Sequence, residues 1–297
     1  MKLSELINGT LLGDATVRVD KNKYYYYSLN AKDKNFLKWF GKLFLKFNIP
    51  TYIVLNNAIS KVFALGFYIN ARQDSNLSAL RNKWYTKQNG KTQKSIPKDL
   101  ELTPMTLLHW YLGDGCLVRR KEDENRIPTI VLATNCFSKE DISFLIQKLK
   151  ELNLNFYPVE YTSGFTGNKC GYCLYSKVQD GTPFRFFKFI GLECPKEISD
   201  FSTGRKGIYR EEHFFKNKWP TEEDWIKILS NEKWIGKVIK DKREKLGIKR
   251  DQITGFLNVN KDYVRKVEYG RRNPSVDKFR KVLNTLKIST SDVLNSY

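Results

Sequence analysis

The sequence predicts an α+β protein in which an α-β-β-α-β-β-α unit occurs twice, each copy built on a four-stranded antiparallel sheet, followed by an all-α unit. Three observations predict this. Two similar segments, Leu6-Ile7-Asn8-Gly9-Thr10-Leu11-Leu12-Gly13-Asp14 and Leu107-Leu108-His109-Trp110-Tyr111-Leu112-Gly113-Asp114-Gly115, stand 100 residues apart. The apolar patterns that follow them run in the same order, which implies internal pseudo-twofold symmetry. From residue 235 the composition changes to short helical stretches separated by turn residues.

Each motif is an apolar run of helical character ending in a small residue and an acid. After Asp14, residues 15–20 alternate as a strand should, and 23–29, with four consecutive tyrosines, form the partner strand. Phe36, Leu37, Phe40, Phe44 and Phe47 recur at helical spacing over 33–47. Strands at 52–55 and 62–69 and a helix at 75–87 complete the first copy. In the second copy, strands near 116–121 and 128–133 precede a helix over 139–152. Strands near 156–162 and 171–175 and a helix over 183–190 follow. Each sheet buries one face under helices and leaves the other open. The expected boundaries are 1–100 and 101–216 for the two copies, 217–233 for a linker and 234–297 for the C-terminal unit.

With 297 residues, 41% hydrophobic and 14% aromatic, the chain can bury real cores. Its net charge of +20 points to a polyanionic partner, nucleic acid before an acidic membrane. Residues 234–297 hold 16 basic against 7 acidic side chains, so both parts are independently basic. No apolar run reaches the ~18 residues of a membrane span, and the first residues lack a signal peptide's pattern. Five irregularly spaced cysteines read as reduced thiols. The expected location is therefore intracellular, in the cytoplasm or nucleoid or in an organellar matrix.

The chemistry is carried by the paired acids. A carboxylate at a helix C-terminus lies against the negative end of the helix dipole, and a divalent metal is the usual compensation. Two such helices packed side by side would bring Asp14 and Asp114 to one metal centre. His109, on a helix just before its acid, reads as an interface packing residue. Taken together, the two motifs, their interval, the duplicated order and the basic charge resemble a single-chain LAGLIDADG homing endonuclease over residues 4–210. Lys94-Ser95-Ile96-Pro97 with Leu102-Thr103-Pro104 resembles the segment such enzymes place before their second motif.

The resemblance implies a monomeric saddle whose motif helices pack through small residues such as Gly9. It implies Mg²⁺, with Mn²⁺ able to substitute, held by Asp14 and Asp114, and cleavage across the minor groove leaving short 3′ overhangs. It also implies a lysine near each active site: Lys94 in the first half, and Lys206 or Lys196 in the second, with Lys206 preferred. The expected partner is double-stranded DNA with a long, asymmetric target. A non-cleaving repressor and an RNA-splicing maturase are the alternatives, the latter with RNA as partner. Strand ribbons fit the major groove, which makes Arg18, Asp20, Tyr25 and Tyr27, then Arg119, Lys121, Arg126 and Thr129, the candidate DNA contacts.

Residues 235–295 resemble the helix-turn-helix of phage-repressor-like (Xre/Cro-type) domains. Arg250–Leu257, the Asn258-Val259-Asn260 turn and Lys261–Tyr269 match the paired helices, and Gly270–Ser275 the following loop. Asn258 replaces the usual turn glycine, which Asn tolerates in the αL region. Asn260, Lys261, Tyr263 and Arg265 are the candidate base contacts, and Arg271 and Arg272 the candidate phosphate contacts. This domain would lengthen the target contact or bind a separate operator.

Overall fold

A computed structural model describes residues 1–19, 24–31, 33–56, 62–68, 74–88, 90–120, 124–162, 169–201 and 213–297. The first repeat runs α1 (Leu3–Leu12), β1 (Ala15–Val19), β2 (Tyr25–Ala31), α2 (Lys34–Leu45), β3 (Tyr52–Asn56), β4 (Val62–Tyr68) and α3 (Asp74–Trp84). A hairpin follows, β5 (Tyr85–Gln88) and β6 (Lys91–Lys94), where the sequence reading carried the helix on to residue 87. Gly90, at φ 74°, lies in the turn between the two strands.

The second repeat runs α4 (Pro104–Asp114), β7 (Gly115–Val118), β8 (Thr129–Ala133), α5 (Lys139–Glu151), β9 (Phe156–Thr162), β10 (Lys169–Ser176) and α6 (Thr182–Ile190). The two sheets have the same strand order, β1-β2-β4-β3 and β7-β8-β10-β9. Among the described residues no helix is long and apolar enough to cross a membrane.

Pairing in the first sheet sets Val17 opposite Tyr27 and Arg18 opposite Tyr26. Ala15, Val17, Tyr27, Leu29 and Leu65 are buried on the inner face, with Phe36, Phe40 and Phe44 of α2. The Tyr27 ring meets Phe44 edge-on at 5.3 Å, and its hydroxyl hydrogen-bonds to Thr10 Oγ1 at 2.8 Å. Asp33 starts α2 by accepting from the Asn35 and Phe36 amides.

Helices α1 and α4 cross at Gly9. A Cβ there would lie 2.5 Å from the Thr106 carbonyl oxygen and 2.8 Å from His109 Cβ. The nearest atom is backbone and cannot swing away. Gly9→Ala gains about 1 kcal/mol of helix propensity but must force the two helices apart, a cost of about 1–3 kcal/mol. The expected result is net destabilisation, checked by thermal unfolding; an unchanged or raised midpoint would show that the helices can separate without penalty.

The chain divides into two compact units. The first comprises 1–116, 130–176 and 186–219; the second comprises 117–129, 177–185 and 220–297. The second unit holds α7 (Glu222–Ser230), α8 (Ile235–Lys245), α9 (Arg250–Leu257), α10 (Lys261–Glu268), α11 (Val276–Leu286) and α12 (Thr290–Asn295). Asn258 takes φ 50° at the end of α9, the left-handed turn expected for it. A Cβ on Gly236 would lie 1.8 Å from the Val267 carbonyl oxygen, so α8 and α10 touch along their backbones. Beneath them Glu268, 3% exposed, receives Arg243 Nε at 2.6 Å and Arg250 Nε at 2.7 Å.

Candidate active centre and nucleic-acid interface

The centre is built where α1 and α4 end together. A Cβ added to Gly13 would lie 3.7 Å from the Asp114 amide nitrogen, and one added to Gly113 would lie 3.5 Å from that of Asp14. Two glycines thus bring the backbones of the two acids into apposition. The Asp14 and Asp114 side chains hydrogen-bond to one another. Burial raises both carboxyl pKa values, and for Asp114 the neighbouring Asp14 charge adds to it. Lys94 and Lys218 oppose the rise at both acids.

The two lysines reach the helix ends in parallel ways. Lys94, closing β6, donates from Nζ to the carbonyls of Gly13 and Ala15, both at 3.0 Å. Lys218, in the short 3₁₀ turn Lys216–Lys218, donates to the carbonyls of Leu112 at 2.7 Å and of Tyr111 and Gly113 at 3.3 Å. Tyr111 returns a hydrogen bond from its hydroxyl to the Lys218 carbonyl. Each lysine satisfies orphan carbonyls at the negative end of a helix dipole. Part of the compensation expected from a metal is therefore supplied by the chain itself.

Lys218 is 5% exposed, with its ammonium 5.0 Å from the Phe214 ring centre and 5.8 Å from that of Phe215. Sequence reasoning missed it. Lys206 lies outside the described residues, and Lys196 is exposed on a turn. A signal for Lys218 was present: Lys218-Trp219-Pro220 repeats the lysine–apolar–proline order of Lys94 to Pro97.

The donor set suits a hard divalent cation. Two carboxylates side by side impede each other's ionisation, and an ion between them would remove that cost. Among the described residues no third acid, histidine or cysteine joins them in a metal-binding group. Other ligands would be water and phosphate oxygens, as Mg²⁺ prefers.

His109 is 1% exposed, set 5.4 Å from the Phe40 ring and against Gly9, so it packs the helix crossing as expected. Neither ring nitrogen has a hydrogen-bond partner among the described residues. Burial lowers its pKa from 6.5 to about 4. The unfolded chain therefore takes up a proton before the folded one. Stability from this site is full above pH 6.5 and is lost as pH falls from there to about 4, a loss of about 3 kcal/mol. His109→Phe is expected to abolish that part of the acid sensitivity in denaturant titrations at pH 7 and pH 4.5.

Two matches to known families follow this geometry. Residues 4–184 match the LAGLIDADG DNA endonuclease family model. The chain belongs to the LAGLIDADG DNA endonuclease family. Residues 239–293 match the helix-turn-helix family model. A curated relative, "Uncharacterized protein MJ1098" of Methanocaldococcus jannaschii, is 29% identical over 159 residues, which are 50% of this chain and 56% of that protein. The chain thus spans little more than half the length of the curated relative it matches.

Similar solved structures include the homing endonuclease I-WcaI bound to its DNA recognition sequence, at 20% identity and TM-score 0.46, over 63% of this chain and 79% of that one. I-DmoI in complex with DNA and Mn is similar at 13% identity and TM-score 0.41, over 63% and 94%. The N-terminal LAGLIDADG domain of DUF199/WhiA is similar at 13% identity and TM-score 0.39, over 65% and 86%.

On the LAGLIDADG sheets, strand parity corrects part of the expected DNA-facing set. Tyr27 is fully buried, and Tyr25, opposite Val19, shares its inward face. The reason is the pairing: Tyr26, not Tyr25 or Tyr27, stands beside the outward Arg18. Asp20 and Lys121 lie outside the described residues. Arg119 is engaged as an ion pair, its Nε 2.8 Å from Asp224 Oδ2, because Asp224 is 5% exposed and needs the charge. Arg126 is exposed and Thr129 is half-buried at the start of β8. Tyr157 and Tyr161, absent from the expected set, are exposed on the outer face of β9.

In the helix-turn-helix, Tyr263 is 8% exposed. The Arg272 guanidinium lies 4.8 Å over its ring, so Tyr263 supports the surface and is not part of it. Asn260 caps α10 by accepting from the Tyr263 amide at 2.8 Å. Lys261 and Arg265 are exposed on α10, paired with Asp251 and Asp262, and Arg271 and Arg272 are exposed beyond it.

Proposed function

We propose that this chain is a site-specific double-stranded DNA endonuclease dependent on Mg²⁺, for which Mn²⁺ can substitute, and that it acts as a monomer on a long, asymmetric target. The apposed Asp14 and Asp114 at the ends of two motif helices, each flanked by a lysine, are the observation that carries this reading. Asp14 and Asp114 would hold the cation. When bound, it would place positive charge on phosphoryl oxygens and lower the pKa of an attacking water.

The chain's own groups do the rest. Lys94 commits two N–H donors to carbonyls, which fixes its ammonium beside the acids and leaves a third N–H to orient water or phosphate. We assign the corresponding place in the second half to Lys218. The glycine contacts hold the acids in register before DNA arrives, so no reorganisation is needed at the reacting phosphate. Arg18, Tyr26, Arg126, Thr129, Tyr157 and Tyr161 would face DNA from the sheets. Lys261, Arg265, Arg271 and Arg272 would do so from the helix-turn-helix.

The test is cleavage of a randomised duplex library with Mg²⁺, beside Ca²⁺ and an Asp14→Asn/Asp114→Asn chain. Cutting that needs Mg²⁺ and is lost in the double variant is the expected result. Binding without any cut would overturn the enzyme and leave a repressor or maturase.

A further inference from the structure

We propose that the helix-turn-helix reads DNA directly beyond the second repeat's half of the target, at one fixed spacing, and does not serve a separate operator. This rests on the reading above that the sheets bind duplex DNA.

The observation is the composition of the second compact unit. Residues 117–129, the connection that joins β7 to β8, and 177–185, leading into α6, belong by sequence to the second repeat. In the structure they are part of the same body as α7 and the helix-turn-helix. Four independent contacts seat them. Arg119 Nε reaches the nearly buried Asp224 at 2.8 Å. Asn231 Nδ2 donates to the Val178 carbonyl at 2.8 Å. Phe184, Trp234 and Tyr297 form an aromatic cluster with ring centres 4.4–5.2 Å apart. Gly181 closes against the Glu232 carboxyl so tightly that a Cβ would lie 2.3 Å from Oε1.

A tethered reading head behaves differently. A flexible linker gives an effective concentration that changes slowly with the distance to be spanned, so spacing hardly matters. Here the ribbon connection that carries the exposed Arg120 and Arg126 is packed into one body with the helices that carry Lys261 and Arg265. Two DNA-facing surfaces on one body can engage one duplex only where its phosphates and bases match in both phase and distance; ~5 base pairs break the phase, and ~10, one turn of ~10–10.5, restore the phase but add ~34 Å of distance. The interlocking side chains therefore act as a ruler.

The experiment uses the full-length Asp14→Asn/Asp114→Asn chain, duplexes recovered by binding selection, and hydroxyl-radical footprinting. Protection is expected to extend beyond the core site at one end only. Insertion of 5 or of 10 base pairs between core and flank is expected to abolish flank protection and weaken binding at least ~10-fold, to the level of the core-only duplex. An Arg119→Gln/Asn231→Ala chain, confirmed folded by its thermal transition, should regain protection of the displaced flank. Flank protection that survives either insertion in the parent chain would overturn the ruler in favour of a tether. Capture of a second duplex with an unprotected flank would overturn it in favour of an operator. Failure to protect any duplex would overturn the sheet-binding reading beneath it as well.

Discussion

Asp114→Asn is expected to abolish DNA cleavage and at the same time make the protein more stable. The residue is half-buried beside Asp14, and its carboxyl pKa is raised by partial desolvation and by the Asp14 charge. A raised carboxyl pKa is a destabilising contribution that appears as pH climbs above the ordinary carboxylate range and is absent below it. Asparagine keeps the shape and can still hydrogen-bond Asp14, but removes the second charge. The gain should be about 0.5–2 kcal/mol at pH 8 and vanish near pH 4. On the proposed function cleavage should fall by at least ~10³-fold, because one carboxylate and an amide would hold the cation poorly. Thermal unfolding at the two pH values and single-turnover cleavage check the two halves. A variant that still cuts at a tenth of the parent rate would remove Asp114 from the centre.

Glu268→Ala carries the largest expected cost to stability. Its carboxylate is buried and accepts from Arg243 on both oxygens, at 2.6 and 3.3 Å, and from Arg250 on Oε2 at 2.7 Å. Arg250 is one-third exposed and can turn to water, but the Arg243 side chain is 8% exposed and cannot. Removing the anion leaves the nearly buried Arg243 with only the exposed Glu244, 3.1 Å from its Nη2, as an ion-pair partner, at a cost of about 3 kcal/mol, the lower end of the range for a broken buried pair. That is a large share of a domain's total of about 5–15 kcal/mol. Denaturant unfolding should show a separate early transition for the helical unit. Replacing Arg243 and Glu268 together by methionine should recover most of the loss, since an apolar pair of similar volume leaves no stranded charge. A loss below ~1 kcal/mol for Glu268→Ala would mean that Arg243 has found water.

Much of the fold was legible because its signals are local and repeated. The glycine–acid pairs at 13–14 and 113–114 announced the helix crossing, and the Asn258 turn announced the paired helices. What was not legible depended on pairing across distance. Nothing within 24–27 says which tyrosines face inward; that is decided by register with β1, where Val17 meets Tyr27. Arg119 looked like a free cation because Asp224, its partner 105 residues on, is invisible from the strand. Lys218 escaped for the same reason. It serves α4 from 105 to 107 residues further along the chain, past the region where the repeat pattern placed its counterpart.

That last separation bears on how the protein is made. The first repeat can collapse early, since Lys94 meets Gly13 and Ala15 within a stretch of 82 residues. The α4 end, by contrast, lacks its cation until the ribosome has delivered residue 218, and closing so long a loop is among the slower steps a chain takes. A growing or truncated polypeptide that has both aspartates but not Lys218 leaves the α4 carbonyls uncapped. Completion of the centre is thereby tied to synthesis of the segment that carries Lys218, well after both aspartates have been made.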